Sequence, residues 1–299
     1  MTNDALKQAL NQALQLHRLE DLCRFSPEQI ATLLQATQLG EDALALALLP
    51  LARHKAQAPV SGFRVGAIAI GGSGHWYLGA NMETGGLPLN SALHAEQAAI
   101  GHAALFDEHH IDKMVVSASP CGHCRQFMQE LNQDSLMLVL PDDHFMLAEL
   151  LPHAFGPADL GQACGMLNSP AGSLGLQKCQ PQTAQDLACL AALDEANASY
   201  APYSHNRAGV ALLLDDGQIC RGRYLENAAF NPSLGPMQLA LSQLFLQDYT
   251  ADRIRRAFIV EAKAEVRQYD AAARLLSRLS AVTLERLVLD TVRGEGETA

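Results

Sequence analysis

At 299 residues, 48% hydrophobic and 18% charged, the chain has core enough for two ordinary domains and the composition of a soluble globular protein. Its 21 Lys and Arg against 32 Asp and Glu leave a net charge of −11 with no basic run, which excludes nucleic acid as an expected partner because acidic chains repel phosphate backbones. No apolar run approaches a membrane span, Met1–Lys7 leads into no signal-peptide core, and the seven cysteines (Cys23, Cys121, Cys124, Cys164, Cys179, Cys189, Cys220) include one tight pair; a cytoplasmic location without membrane contact is expected.

Residues 1–45 are predicted as a helical segment. Leu6, Leu10, Leu14 and His17 recur at helical spacing, and Ser26-Pro27-Glu28 reads as a cap with proline in the first turn; the helical pattern runs on to residue 57. A first α/β domain is expected over 46–155. Phe63–Ile70 alternates as a strand, Gly71–Gly74 turns, and Trp76–Ala80 returns. His94–Phe106 is apolar and alanine-rich like a buried helix. Lys113–Ala118 reads as a buried strand, Cys121–Leu131 as a helix and Leu136–Leu140 as a strand. Strands alternating with helices indicate a layered α/β fold. Residues 156–182, rich in Gly, Pro, Ser and Gln, read as a linker, and 183–299 as a second domain.

That second domain repeats the first. Ala58-Pro59, Ser61, Arg64, Gly66, Gly79 and Glu83 recur as Ala201-Pro202, Ser204, Arg207, Gly209, Gly222 and Glu226, every pair 143 residues apart, which points to an internal duplication. The copies differ where chemistry is concentrated. Opposite His94 and Glu96 the second copy reads Pro236-Met237-Gln238-Leu239, and opposite Pro120–Cys124 it reads Lys263-Ala264-Glu265-Val266-Arg267. Neither string supplies a three-ligand metal site, so any such site is expected once per chain, in the first copy.

In the first copy, Cys121 and Cys124 stand three apart at a helix start, where both sulfurs share a face and the free N–H groups favour thiolate. A lone C-x-x-C would also suit redox chemistry. With His94-Ala95-Glu96 upstream, His94, Cys121 and Cys124 read as three zinc ligands with the fourth position left to water, and Glu96 as the general acid–base beside it. His123 is expected to point away from the shared face toward the surface, His102 to be a packed or hydrogen-bonded core residue, and His109-His110 to be solvated. Asn81 and Glu83 stand two apart at a strand end and should project together, a pairing suited to sugar hydroxyls. Phe63 faces Asn206 in the repeat, a contrast that ties it to the site the second copy lost.

These residues together resemble the cytidine deaminase family, in its long two-domain bacterial form. The resemblance runs over nearly the whole chain. It rests on Phe63–Ala67, Asn81-Met82-Glu83, His94-Ala95-Glu96, Pro120-Cys121-Gly122-His123-Cys124-Arg125-Gln126 and, in the zinc-free copy, Glu226–Pro232. It implies a duplicated, layered α/β/α fold and hydrolytic deamination of cytidine and 2′-deoxycytidine at C4, with zinc activating the water and Glu96 carrying protons. It further implies that Asn81, Met82 and Glu83 form the ribose-binding segment, that Phe63 packs on the base, and that the chain is a homodimer. In that dimer Ala228, Ala229 and Phe230 are expected to help close a partner's site. Two rival readings stay open: a deaminase of a polynucleotide or another aminopyrimidine, and a zinc-stabilised relative without catalysis. Retention of Glu96 argues against the latter, since a structural metal needs no proton carrier.

Overall fold

The computed structural model describes residues 3–174 and 183–291; residues 1–2, 175–182 (with Cys179 and the end of the expected linker) and 292–299 lie outside the described residues. The N-terminal helices follow their sequence signals. α1 (Asn3–His17) leads by way of a two-residue strand, β1 (Arg24–Phe25), to α2 (Pro27–Thr37). Ser26 caps α2 in a reciprocal box: its Oγ accepts from the Gln29 amide, and Gln29 Oε1 accepts from the Ser26 amide. α3 (Glu41–His54) then runs through the expected 45/46 boundary without a break.

β2 (Gly66–Gly71) and β3 (Trp76–Ala80) form a hairpin. They are followed by α4 (Ala95–Ala104), β4 (Ile111–Val116), α5 (Gly122–Gln129), β5 (Met137–Val139), β6 (His144–Met146) and α6 (Leu147–Leu150). The strands order as β1-β3-β2-β4-β5-β6, with β4 and β5 parallel. Strand alternation sorts the side chains to two faces. Ile68, Ile70 and Leu78 pack against Leu44 and Leu48 of α3, so α3 belongs by packing to this sheet. Ala67 and Ala69 face α4 and α5 on the other side. There α4 lies so close to β3 that a Cβ on Gly79 would stand 2.2 Å from the Ala99 nitrogen.

The second half repeats the plan with α7 (Ala184–Asn197), β7 (Ala208–Leu214), β8 (Ile219–Arg223), α8 (Pro236–Leu246), β9 (Ile254–Ala262), α9 (Tyr269–Leu276) and β10 (Leu284–Leu289). The order β10-β9-β7-β8 reproduces the sequence of pairings in the first sheet, again with one parallel pair. Gly222 repeats the close approach of Gly79, its missing Cβ facing Pro236 O at 2.2 Å. α7 covers the outer face of this sheet. α4 and α8 lie together in one continuous core between the two sheets. Their starts exchange matching hydrogen bonds: Gln97 Nε2 donates to Pro232 O and Gln238 Nε2 donates to Ser91 O, both at 2.8 Å. The two copies are therefore related by an approximate twofold axis between these helices.

The repeat is not a rigid shift of 143 residues. β3 and β8 match at that offset, but α8 starts two residues early and α9 four residues late relative to α4 and α5. Gly235 thus takes the capping place of His94, Met237 that of Glu96, and Gln268 and Ala271 those of Cys121 and Cys124. This corrects the strings aligned from sequence, because loop length was free to change while the hairpin was not. The described part of the expected linker is also packed: Met166 and Leu167 enter the central core, and Leu174 bridges to Thr291.

Candidate active site

Two helix starts build the site. His94 caps α4 and Cys121 caps α5, both in extended conformation, so the positive ends of two helices converge on one point. His94 Nδ1 lies 3.5 Å from Cys121 Sγ and 3.2 Å from Cys124 Sγ, and the two sulfurs are 3.6 Å apart. A tetrahedral zinc with Zn–S of about 2.3 Å and Zn–N of about 2.0 Å spaces its ligand atoms by about 3.5–3.8 Å. The donor set fits such an ion, and it supplies three ligands, as an open catalytic site requires. Among the described residues no other three His, Cys, Asp or Glu side chains converge in this way.

The two thiols are unlike. Hydrogen bonding with Cys124 brings the Cys121 pKa down to about 4, while the same bond and burial push Cys124 up. Glu96 lies in the first turn of α4 and is 4% exposed. Burial raises its pKa, against the opposing pull of its own backbone N–H, Cys124 and His94. It is thus a carboxyl able to hold a proton beside the metal position.

His123 is half-buried with its ring 5.2 Å from that of His94, and burial and the His94 charge lower its pKa. It remains outside the ligand cluster. His102 is a core residue whose Nδ1 bonds Leu78 O at 2.9 Å. His109 Nδ1 bonds Leu167 O, and His110 meets Asp112 and Gln133.

A cavity of about 260 Å³ opens over the cluster, lined by Phe63, Asn81 and Glu83 as well as His94, Glu96 and Cys121. Phe63 stands at its rim, 60% exposed. Asn81 and Glu83 do project together, but both already grip the loop before β2. Asn81 Oδ1 accepts from Val65 N at 2.8 Å and its Nδ2 donates to Phe63 O at 2.9 Å. Glu83 Oε2 accepts from the Val60 and Ser61 amides at 2.9 and 3.0 Å, and Oε1 accepts from the Ser61 hydroxyl. In the second copy Glu226 accepts from the Tyr203 and Ser204 amides in the same way. The repetition of Ser61 and Glu83 therefore marks a loop clamp common to both copies. Met82 departs from expectation: period-two alternation turns it away from Asn81 and Glu83 into the central core, 3% exposed.

The stretch expected to reach across subunits divides as well. Ala228 is buried within its own chain, its amide donating to Glu130 Oε2 at 2.8 Å, so it is not free to meet a partner. Ala229 is half-buried, and Phe230 is exposed with its ring edge-on to Tyr203. Sequence reasoning also missed Ser61, Val65, Ala118 and Ser119 in the cavity wall. Pro120 held attention on the residues after it, although Ser119 directly precedes that motif.

The second copy keeps a cavity at the corresponding helix starts but not its chemistry. Tyr224, at the Asn81 position, is buried with its hydroxyl donating to Glu226 Oε1 at 3.3 Å. The corresponding cavity, about 390 Å³ at the starts of α8 and α9, is lined by Gly235, Met237, Gln268 and Ala271, the counterparts of His94, Glu96, Cys121 and Cys124, and none of the four offers an imidazole, thiol or carboxylate. No helix among the described residues is long and apolar enough to cross a membrane.

Two family models, both described as the cytidine and deoxycytidylate deaminase zinc-binding region, match residues 40–140 and 147–273. The chain is similar to the cytidine deaminase of Aeromonas hydrophila subsp. hydrophila, 49% identical over 265 residues that make up 88% of each chain. It is also similar to that of Klebsiella pneumoniae, 46% identical over 88% of each chain. A crystal structure of cytidine deaminase from Mycobacterium tuberculosis matches 40% of this chain and 99% of its own at 27% identity and a TM-score of 0.37.

Proposed function

This chain belongs to the cytidine deaminase family, and on that premise we propose that it hydrolyses cytidine and 2′-deoxycytidine to uridine and 2′-deoxyuridine with release of ammonia. The observation that carries the reading is the convergence of His94 Nδ1, Cys121 Sγ and Cys124 Sγ beside the buried Glu96 at the floor of one cavity. The cofactor is zinc, one ion per chain, held by His94, Cys121 and Cys124. When bound there, zinc supplies Lewis acidity at its open position and lowers the pKa of water toward about 7.

This chain's residues do the rest. Glu96 takes the proton given up by the attacking water, passes it to N3 of the pyrimidine, and supports protonation of the amine as the C4–N bond breaks and a C4–O bond replaces it. Burial, which raises its pKa, suits both directions of that transfer. Phe63 offers an aromatic face to the base. A carboxylate has about four acceptor sites and an amide two donors, so Glu83 and Asn81 retain capacity for ribose hydroxyls while holding the loop. Met82 contributes only by setting the alternation that aims its two neighbours.

The cavity wall carries Glu83 and Glu96 and no Lys or Arg. That charge supports a free nucleoside over a nucleotide or a polynucleotide, as does the net charge of −11. A role in pyrimidine salvage and a cytoplasmic location accord with such a substrate. We further propose a homodimer, in which Phe230, 66% exposed, is the residue of the Ala228–Phe230 stretch left to meet a partner.

The test is loss of ultraviolet absorbance with cytidine, 2′-deoxycytidine, deoxycytidylate and a cytosine-containing oligonucleotide, each before and after chelation. Turnover of both nucleosides that chelation abolishes and added zinc restores is expected. Turnover confined to the nucleotide or the polymer would overturn the reading.

A further inference from the structure

A buried carboxylate outside the site joins the zinc-binding helix to the copy that has no zinc. Glu130 follows the last turn of α5 and is fully buried. Its Oε1 accepts from the hydroxyls of Tyr200, at 2.8 Å, and Tyr203, and its Oε2 accepts from the Ala228 amide. All three donors belong to the second copy, and no cation is among these partners. A parallel tie lies one turn earlier, where Asn227 Nδ2 donates to Gln126 O at 3.0 Å. Burial raises the Glu130 pKa, and the three donors oppose that shift.

The approximate twofold axis supplies the comparison. On the zinc-free side the corresponding positions are Ser277 after α9, Gln57 and Val60 for the two tyrosines, and Gly85 for Ala228. Ser277 turns back to its own helix, donating to Arg274 O. The carboxylate-and-tyrosine cluster therefore exists on one side of the axis only, the side whose helix carries metal ligands.

We propose that Glu130 is a positioning residue for the deamination site, through which the zinc-free copy fixes the tilt of α5 and with it the sulfurs of Cys121 and Cys124. This rests on the zinc reading of those cysteines. The lever is short. Cys124 lies six residues before Glu130, about 9 Å along the helix axis at about 1.5 Å per residue. A tilt of about 6° about the Glu130 end would move Cys124 by about 1 Å, whereas zinc–ligand distances hold within about 0.2 Å. Misplacement by about 1 Å costs up to about 10²-fold in rate. Asn81 and Glu83, assigned to the ribose, follow β3, away from this lever.

The test compares the zinc forms of the wild type, Glu130→Gln, Tyr203→Phe and the double variant. Glutamine keeps the volume but turns an N–H₂ toward donors. Zinc transfer to a chromophoric chelator, kcat and KM for cytidine, and Tm are read on each. We expect Glu130→Gln to lose zinc about tenfold faster and to drop kcat about tenfold, with KM unchanged within about twofold. Tyr203→Phe should move both in the same direction by less, and the double variant should be no worse than Glu130→Gln. A lower Tm with unchanged zinc release and kcat would overturn the proposal, as would an effect confined to KM. If Glu130→Gln does not fold, Tyr203→Phe decides by the same criteria. If the wild type fails to turn over cytidine, the functional reading falls, and the zinc-release arm alone decides the role of Glu130.

Discussion

The two close approaches of helix to strand give a matched pair of perturbations. At Gly79 an added Cβ would meet Ala99 N at 2.2 Å and Ala95 O at 2.4 Å; at Gly222 it would meet Pro236 O at 2.2 Å and Ala240 N at 2.5 Å. All four are backbone atoms, so no side-chain rotation relieves the contact and the helix itself must retreat by about 1 Å. Overpacking of this kind costs about 1–3 kcal/mol, and the near-equal distances predict similar losses from Gly79→Ala and Gly222→Ala. Function separates them. α4 carries His94 at its cap and Glu96 in its first turn, next to Ala95, so its retreat moves the proposed zinc ligand and the proposed proton carrier together. α8 carries Gly235 and Met237 in those places and has nothing catalytic to lose. Gly79→Ala should therefore lose zinc to a chelator faster and fall in kcat by about 10²-fold, whereas Gly222→Ala should lose stability alone. Urea unfolding, zinc release and cytidine turnover on both variants decide it. Equal loss of kcat in the two variants, or wild-type zinc release in Gly79→Ala, would refute the reasoning.

Other substitutions probe single groups. Glu96→Gln should retain one zinc per chain by metal analysis while turnover falls about 10²–10⁴-fold; surviving turnover would remove Glu96 as the proton carrier. Phe63, 60% exposed, contributes little to the core, so Phe63→Ala should leave stability within about 0.5 kcal/mol and raise KM for cytidine. His102 supplies a pH dependence: burial lowers its pKa from 6.5 to about 4, so between those values the unfolded chain takes up a proton that the folded chain refuses. Stability should thus be unaffected by this group above pH 7 and decline as pH falls from 6.5 to 4, by up to about 3 kcal/mol. His102→Gln should flatten that part of the curve in denaturant titrations at several pH values; an unchanged slope would show that His102 is not its source.

Much of the site could be read in the chain because its chemistry is local. His94-x-Glu96 and Cys121-x-x-Cys124 each fall within one helix turn, and helix geometry alone brings their side chains to one end of the helix. The hairpin repeat was legible for a related reason: Gly66 and Gly79 recur as Gly209 and Gly222 where an added Cβ would strike backbone, so neither copy tolerates a change. Less was legible where contacts span the chain. Nothing near Tyr224 indicates that it is buried against Glu226, and nothing near Glu130 indicates that its partners lie at residue 200 and beyond. Loop lengths drifted between the copies, so a fixed offset placed Met237 opposite His94 when the helix caps place Gly235 there.

The duplication also separates scaffold from chemistry within a single residue pair. Glu83 and Glu226 are identical because each clamps the loop before its hairpin, and that duty persists in a copy with no metal. Identity across the repeat is thus a signal of structure, and difference is the signal of function: Asn81 against Tyr224, Phe63 against Asn206, His94 against Gly235. By this criterion Glu83 owes its presence first to the loop and only then to a substrate, whereas the Asn81 position was free to become Tyr224, buried against Glu226. Glu130 falls on the functional side of the same division. It has no carboxylate counterpart after α9, and the helix it steadies is the one whose cysteines the second copy lacks.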